Sequence, residues 1–362
     1  MKVTASIALS ADGCADDRTP HRLILSTPAD WREAMRLRAG CDAILVGAET
    51  VRRDNPSLTV RDEALRRMRL AAGRSGDPAK ITLTRSLCLD PASNFFTAGD
   101  SARIVFTDNT APTPLADIAD VIRCPDLRPA RIVTELERRG MRQLLVEGGP
   151  HTIDRFLDEG LVDTLRIAVN PSIRVDDPQA PRFGIRPEWA SVPSEHRQLE
   201  GMEVAVHTLH PDRRDEDMRY LHMAVELSRR SVPCTASYRV GAVIVARSGA
   251  LFTGYTHETS PTRHAEQEAL LKALAAGADL RGAAIYSSME PCSERSSEPV
   301  SCSELILRYG FSRTIFALYE PACFVRCQGA LRLRTHGIEV RVYDELAADV
   351  LDINGHLCRH GL

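Results

Sequence analysis

Arg263-His264-Ala265-Glu266-Gln267-Glu268-Ala269-Leu270, then Ser288-Met289-Glu290-Pro291-Cys292, then Ser301-Cys302, is the run that decides how this chain is read. His and Cys thiolate are zinc ligands, and three protein ligands leave a fourth position for water. Bound zinc brings the pKa of that water toward neutrality. Glu266, two residues past His264, falls where a carboxylate can move protons beside the metal. Each residue alone has a plainer reading. A free Cys is often a small core hydrophobe, and a His at a helix start can be a cap. The ordered set His264, Glu266, Pro291, Cys292 and Cys302 favours a metal held by His264, Cys292 and Cys302, with Glu266 catalytic. Cys323 and Cys327, four apart, are the rival thiols.

The flanking pattern gives this set its frame. Val240-Gly241-Ala242-Val243-Ile244-Val245 and Ala283-Ala284-Ile285-Tyr286 are apolar runs of strand length on either side of the His264 helix. Further strands are expected at 250–254, 313–317 and 338–342, with a helix opening at Cys302. Strands alternating with helices predict an α/β unit of three layers. Upstream, Met218 to Arg229 has apolar residues near helical spacing. Before it, His210-Pro211-Asp212-Arg213-Arg214-Asp215-Glu216-Asp217 is charged, contains a Pro, and reads as a linker. The domains are therefore expected at 1–209 and 218–362, joined by 210–217.

Residues 1 to about 207 repeat the alternation. Val3 to Leu9, Asp42 to Gly47 and Gln143 to Glu147 read as strands, the last two of the continuous apolar kind found in parallel sheets. Ser26 or Thr27 caps a helix starting at Pro28. Two stretches look functional. In Val46-Gly47-Ala48-Glu49-Thr50-Val51-Arg52-Arg53-Asp54-Asn55-Pro56 a buried strand ends in Gly before a polar loop, where α/β sheets place ligands. In Glu147-Gly148-Gly149 two glycines precede a helix, whose N-terminus favours an anion. A solvated connection and a structural turn are the plain alternatives. No full G-x-G-x-x-G occurs, so an ordinary dinucleotide fingerprint is absent.

Bulk properties narrow the classes. The chain has 362 residues, 43% hydrophobic and 26% charged, with a net charge of −3. No block of like charge suggests a nucleic-acid surface, and no apolar run approaches the 18 or so residues of a membrane span. The N-terminus reads as a strand and not a signal peptide. The 10 cysteines are then expected to be reduced, in the cytoplasm.

His-x-Glu followed by Pro-Cys and a second Cys is the signature of zinc nucleobase deaminases, where two residues separate the cysteines. Here nine do, Ser293 to Ser301. The stretch from about Met218 to Val342 resembles the deaminase half of the bifunctional riboflavin-biosynthesis deaminase/reductase (RibD) family, of cytidine-deaminase fold. Two loops depart from that family's pattern: Ala236-Ser237-Tyr238-Arg239 before Val240-Gly241, and Ser297-Glu298-Pro299-Val300-Ser301 before Cys302. The N-terminal domain resembles the dihydrofolate-reductase-like reductase half of the same family. The residues that carry this are Ser10-Ala11-Asp12-Gly13, Ser26-Thr27-Pro28, Arg36-Leu37-Arg38-Ala39, Gly47-Ala48-Glu49-Thr50-Val51, Asp54-Asn55-Pro56, Leu58-Thr59-Val60-Arg61, Leu145-Val146-Glu147-Gly148-Gly149-Pro150 and Gly160-Leu161-Val162-Asp163.

The resemblance implies an α/β protein of two domains in reversed order, since the deaminase usually comes first. It implies zinc and NADPH as cofactors and a pyrimidine ribose-phosphate as substrate. Ala8, Thr50, Asp54 and Gly149 with the helix after it would hold NADPH; its pyrophosphate is expected at the amides after Gly148, and Arg85 with Ser86 is proposed for its 2′-phosphate. Arg38, Leu58, Arg61 and Glu147 would hold the substrate. A dimer through the reductase domain is expected, with no nucleic-acid or membrane partner. The nearest rival is a cytidine, deoxycytidylate or antibiotic-pathway deaminase fused to a related reductase.

Overall fold

The computed structural model describes residues 1–19, 21–295, 298–321 and 327–358. The chain divides into two compact units, Met1–Pro211 and Asp212–Leu362.

Unit 1 contains β1 (Lys2–Ser10), α1 (Pro28–Gly40), β2 (Ala43–Gly47), α2 (Ala48–Asp54), α3 (Glu63–Ala71), β3 (Ala79–Leu83), α4 (Asn94–Thr97), β4 (Arg103–Thr107), β5 (Asp120–Arg123), α5 (Pro129–Arg138), β6 (Gln143–Glu147), α6 (Pro150–Asp158), β7 (Thr164–Asn170), β8 (Ser194–Leu199) and β9 (Met202–Thr208). They form one nine-stranded sheet in the order β5-β4-β3-β2-β6-β1-β7-β9-β8. Neighbours from β5 to β7 are parallel, and β9 and β8 are added antiparallel. Successive side chains of a strand point to opposite faces. Leu45 and Val146 therefore join Ile132, Leu136, Ile153 and Phe156 of α5 and α6 in one core. Ile44, Val46 and Leu145 face the other way, into a second core with Val51 of α2 and Phe95 of α4.

Three local features differ from the sequence reading. The expected polar loop after Gly47 is helix α2. It closes where Asn55 turns left-handed (φ 43°) and its N–H reaches the Val51 carbonyl. Asp62 caps α3 by accepting from the Leu65 N–H. The edge strand β8 is polar and almost wholly exposed, so it carries no alternating pattern to read.

Unit 2 contains α7 (Arg214–Ser228), β10 (Gly241–Val245), β11 (Leu251–Tyr255), α8 (Ala265–Ala275), β12 (Ala284–Met289), α9 (Cys302–Arg308), β13 (Arg313–Leu318), α10 (Gly329–Thr335), β14 (Glu339–Val342), α11 (Ala347–Ile353) and α12 (Gly355–Cys358). Its sheet runs β11-β10-β12-β13-β14, with β12, β13 and β14 parallel. Ala265, Ala269 and Ala273 of α8 pack with α9 and α10 on one face. Leu221, Ala224 and Val225 of α7 pack with Val350 and Ile353 of α11 on the other. The three layers expected from the alternation are present.

Helix α7 takes in residues 214–217 of the stretch read as a linker. Its first turn holds Asp215, Glu216 and Asp217, and negative charge is favoured at a helix N-terminus. Asp217 is fully buried. Its carboxylate accepts from Arg313 Nη1 and Nη2 at 3.0 and 2.8 Å, Tyr286 Oη at 3.0 Å and Tyr343 Oη at 3.1 Å. The last residue of a run that looked solvated is thus a core anchor. Among the described residues no helix is long and apolar enough to cross a membrane.

Candidate functional site

In unit 2, three element ends meet. His264 is the N-cap of α8, Cys292 follows β12 through Glu290-Pro291, and Cys302 opens α9 behind its capping residue Ser301. One ligand atom from each lies within 4.8 Å of the others. His264 Nδ1 is 3.6 Å from Cys292 Sγ and 3.5 Å from Cys302 Sγ. The Cys302 N–H points at Cys292 Sγ, 3.3 Å away.

The electrostatics agree with a cation site. The contact with the Cys302 thiol pulls the Cys292 thiol far down, to about 4, and His264 adds to this against burial. The same contact, with burial and the nearby Glu266, pushes Cys302 well up. The two sulfurs thus share one proton, and a soft dication would replace it with two thiolate bonds. Burial opposes charge on His264, but its contact with Cys292 raises its pKa overall. Nitrogen, two sulfurs and this spacing fit zinc.

Glu266 sits beside the cluster, fully enclosed. Its Oε1 accepts from Ser287 Oγ at 2.9 Å, and its Oε2 lies 3.4 Å from Cys302 Sγ. Burial raises its pKa, which suits a group that takes and returns a proton. Of the rival thiols, Cys327 is buried against the Pro291 carbonyl, and burial holds it protonated. Cys323 lies outside the described residues.

Unit 1 holds a cleft of about 650 Å³ at the ends of β2 and β6. Ala8, Thr50, Asp54, Arg85, Gly148, Gly149, Arg38, Leu58 and Glu147 line it; Arg61 does not. Arg61 instead donates to Ser57 Oγ at 3.1 Å. Gly148 and Gly149 are both left-handed (φ 101° and 61°), a conformation costly for other residues, and they lead into α6. Asp54 is pushed up by burial, opposed by the Arg22 charge. Arg38 is buried, and its guanidinium is taken up by Glu147, with Nε 2.9 Å from Oε1 and Nη2 2.6 Å from Oε2. Arg38 therefore holds Glu147 in place. Sequence reasoning missed this pair because 109 residues separate its members. It also missed Arg22, a cleft residue lying over the Trp31 ring at 5.5 Å.

Fold and site together define a two-domain enzyme, an α/β unit with a ligand cleft followed by a three-layer unit with a deaminase-type zinc centre. Residues 1–174 match the family model described as RibD C-terminal domain. Residues 214–318 match the cytidine and deoxycytidylate deaminase zinc-binding region. The chain is 32% identical over 175 residues to the 2,5-diamino-6-ribosylamino-4(3H)-pyrimidinone 5′-phosphate reductase of Archaeoglobus fulgidus, covering 47% of this chain and 80% of that protein. It is 33% identical over 126 residues to the diaminohydroxyphosphoribosylamino-pyrimidine deaminase of Buchnera aphidicola subsp. Acyrthosiphon pisum, covering 34% of this chain and 82% of that one. A deaminase of the same name from Schizosaccharomyces pombe is 38% identical over 123 residues, which are 33% of this chain and 30% of that protein. The chain belongs to the RibD family of riboflavin-biosynthesis deaminases and reductases, with the usual C-terminal reductase domain placed first.

Proposed function

We propose that the chain is a bifunctional enzyme acting on 2,5-diamino-6-ribosylamino-4(3H)-pyrimidinone 5′-phosphate. Unit 2 hydrolyses the 2-amino group, and unit 1 reduces the ribosyl side chain to ribityl. The observation that carries this is the convergence of His264, Cys292 and Cys302 beside the enclosed carboxyl of Glu266. When bound, zinc activates the attacking water and NADPH supplies the hydride. Glu266 does the proton work. Its carboxylate takes one proton from the water as the oxygen bonds to C2 and delivers it to the ring nitrogen whose π bond to C2 breaks; it then carries the remaining hydroxyl proton to the departing nitrogen, so ammonia leaves as the C2 carbonyl forms. Ser287 fixes the carboxyl by donating to Oε1.

In unit 1, Gly148, Gly149 and Thr50 line the cleft, which supports a dinucleotide bound along them. Ala8 and Asp54 line the same wall, and Arg85, largely exposed, can meet a 2′-phosphate. Glu147, braced by Arg38, and Leu58 face the sugar. Arg61 lies outside the cleft wall and has no role in this reading. We further propose a homodimer through unit 1 and a reducing, cytoplasmic setting. Sedimentation velocity tests the former.

Mass spectrometry of the product with and without NADPH scores both units, because deamination and reduction change the mass by different amounts. Glu266→Gln keeps zinc and reduction but loses deamination by several orders of magnitude. An active Glu266→Gln deaminase would overturn the assigned proton carrier.

A further inference from the structure

One wall of the unit 1 cleft is not held by apolar packing. Ala15, Asp16, Arg22, Leu23, Ile24 and Leu25 line the cleft, yet no described residue from 16 to 24 is buried. Such a segment opens at little cost unless polar contacts pin it. Here they do. Asp17 Oδ1 accepts from the Thr19 N–H at 3.0 Å and from Thr19 Oγ1 at 2.8 Å, and Asp16 Oδ1 accepts from the Asp17 N–H at 2.9 Å. This polar knot is tied down at two points. Arg18 donates to Gln179 Oε1 and lies 3.6 Å from Asp177 Oδ2. On the α2 side, Arg53 donates from Nε to Asp16 Oδ2 and from Nη2 to the Thr19 carbonyl at 2.8 Å, with Asp17 Oδ1 at 3.7 Å. The Arg18 side chain is 50% exposed, while Arg53 and Asp16 are 27% and 16% exposed. The Arg53 clasp is therefore the less screened of the two. Arg53 and Asp16 themselves line the cleft, as do Thr50 and Asp54 of the same helix.

We propose that Arg53 is a positioning residue for the dinucleotide: its clasp on Asp16 and Thr19 holds segment 15–25 against α2 in the arrangement that admits the cofactor. This rests on the reductase reading given above. A cofactor that meets a loose wall must order it on binding, so its apparent affinity falls with the fraction of chains already in the right arrangement. The clasp also keeps a neutralised pair beside Asp54, the residue after Arg53. Burial raises Asp54 and the Arg22 charge opposes this, while the Asp16 and Arg53 charges act on it in opposite senses. Removing Arg53 alone would leave a bare carboxylate there. The sugar side of the cleft is built differently, from Arg38 of α1 on Glu147 of β6, and the clasp touches neither. Its loss should therefore be felt by the cofactor and not by the substrate.

The test uses the full-length zinc-loaded chain as wild type, Arg53→Ala, Asp16→Ala, the double variant, and the charge exchange Arg53→Asp with Asp16→Arg. NADPH affinity is measured by fluorescence titration, and reduction kinetics give kcat and both KM values. Each single variant is expected to bind NADPH about 3- to 10-fold more weakly. The double variant should be no worse than the weaker single one, because the two side chains act as a pair. The charge exchange should recover part of the loss, which a merely structural role of either residue would not predict. Added salt should weaken NADPH binding more in wild type than in the double variant. At saturating NADPH, kcat and the substrate KM should stay within about 2-fold of wild type. Wild-type NADPH affinity in Arg53→Ala, additive losses in the double variant, or a change confined to the substrate KM would each overturn the proposal. A wild-type chain that binds no dinucleotide would sink the reductase reading and this proposal with it, and that result is visible before any variant is made.

Discussion

Gly329, the first residue of α10, allows the ligand loop to lie where it does, and adding one methyl group there should loosen zinc without touching a ligand. A Cβ built on Gly329 would stand 1.8 Å from the Pro291 carbonyl oxygen and 3.0 Å from its carbon. Backbone cannot swing aside as a side chain can, so the helix or the loop must move by more than about 1 Å to reach ordinary contact. If the loop moves, Cys292, the next residue, moves with it, while metal–ligand distances tolerate only about 0.2 Å. If the helix moves, the Ala330 N–H leaves Glu290 Oε1, now 2.9 Å away. A hydrogen bond to a charged group contributes about 1.5–3 kcal/mol. Overpacking costs about 1–3 kcal/mol, and replacing a helical Gly returns at most about 1. A net loss of about 2 kcal/mol corresponds to roughly a 30-fold weaker zinc site in Gly329→Ala. Competition against a chromogenic chelator measures this, with Gly355→Ala as control, since nothing lies within 4 Å of a Cβ there. Wild-type zinc affinity in Gly329→Ala would refute the argument that α10 sets the Cys292 position.

Other outcomes follow from single contacts. Cys302→Ala should lose its zinc by elemental analysis while Cys327→Ser, altering a protonated thiol, keeps it; the reverse would reassign the ligands. Asp217→Ala leaves the Arg313 charge buried with Glu339 as its remaining carboxylate, and unit 2 should lose about 3 kcal/mol in urea unfolding. Lys80 is fully buried in β3 and is pushed down to about 8 by burial and the Arg103 charge. The unfolded chain keeps that proton to a higher pH, so this group makes stability rise between about pH 8 and 10.5, by at most about 1.4 kcal/mol per pH unit. Lys80→Met should be less sensitive to pH in that window by thermal or urea unfolding; an unaltered slope would exclude Lys80 as its source.

What could be read in the sequence was what repeats over a few residues or sits at an element end. The alternation in β1, the apolar runs of β2 and β6, and the Thr27 cap, which accepts from the Asp30 N–H, are local and legible. The cluster of His264, Cys292 and Cys302 was legible for a related reason: each residue stands where a strand or helix begins or ends, so the order of elements already brings the three near one another. Helix α2 was hidden because Thr50 and Val51 are poor helix formers; its boundaries come from Gly47 and from Asn55 adopting a left-handed turn. Asp217 was hidden because its partners arrive from β12, β13 and the chain after β14, and because the residues before it form a charged run. Arg38 shows most clearly what long-range pairing changes. Read by type, an arginine at a phosphate-binding position grips phosphate. Folded, its Nε and Nη2 face Glu147 and its Nη1 donates to the Thr59 carbonyl at 3.2 Å. A ligand would have to displace the Glu147 carboxylate to reach that guanidinium, so in the fold Arg38 acts as the holder of Glu147, the carboxylate that lines the cleft.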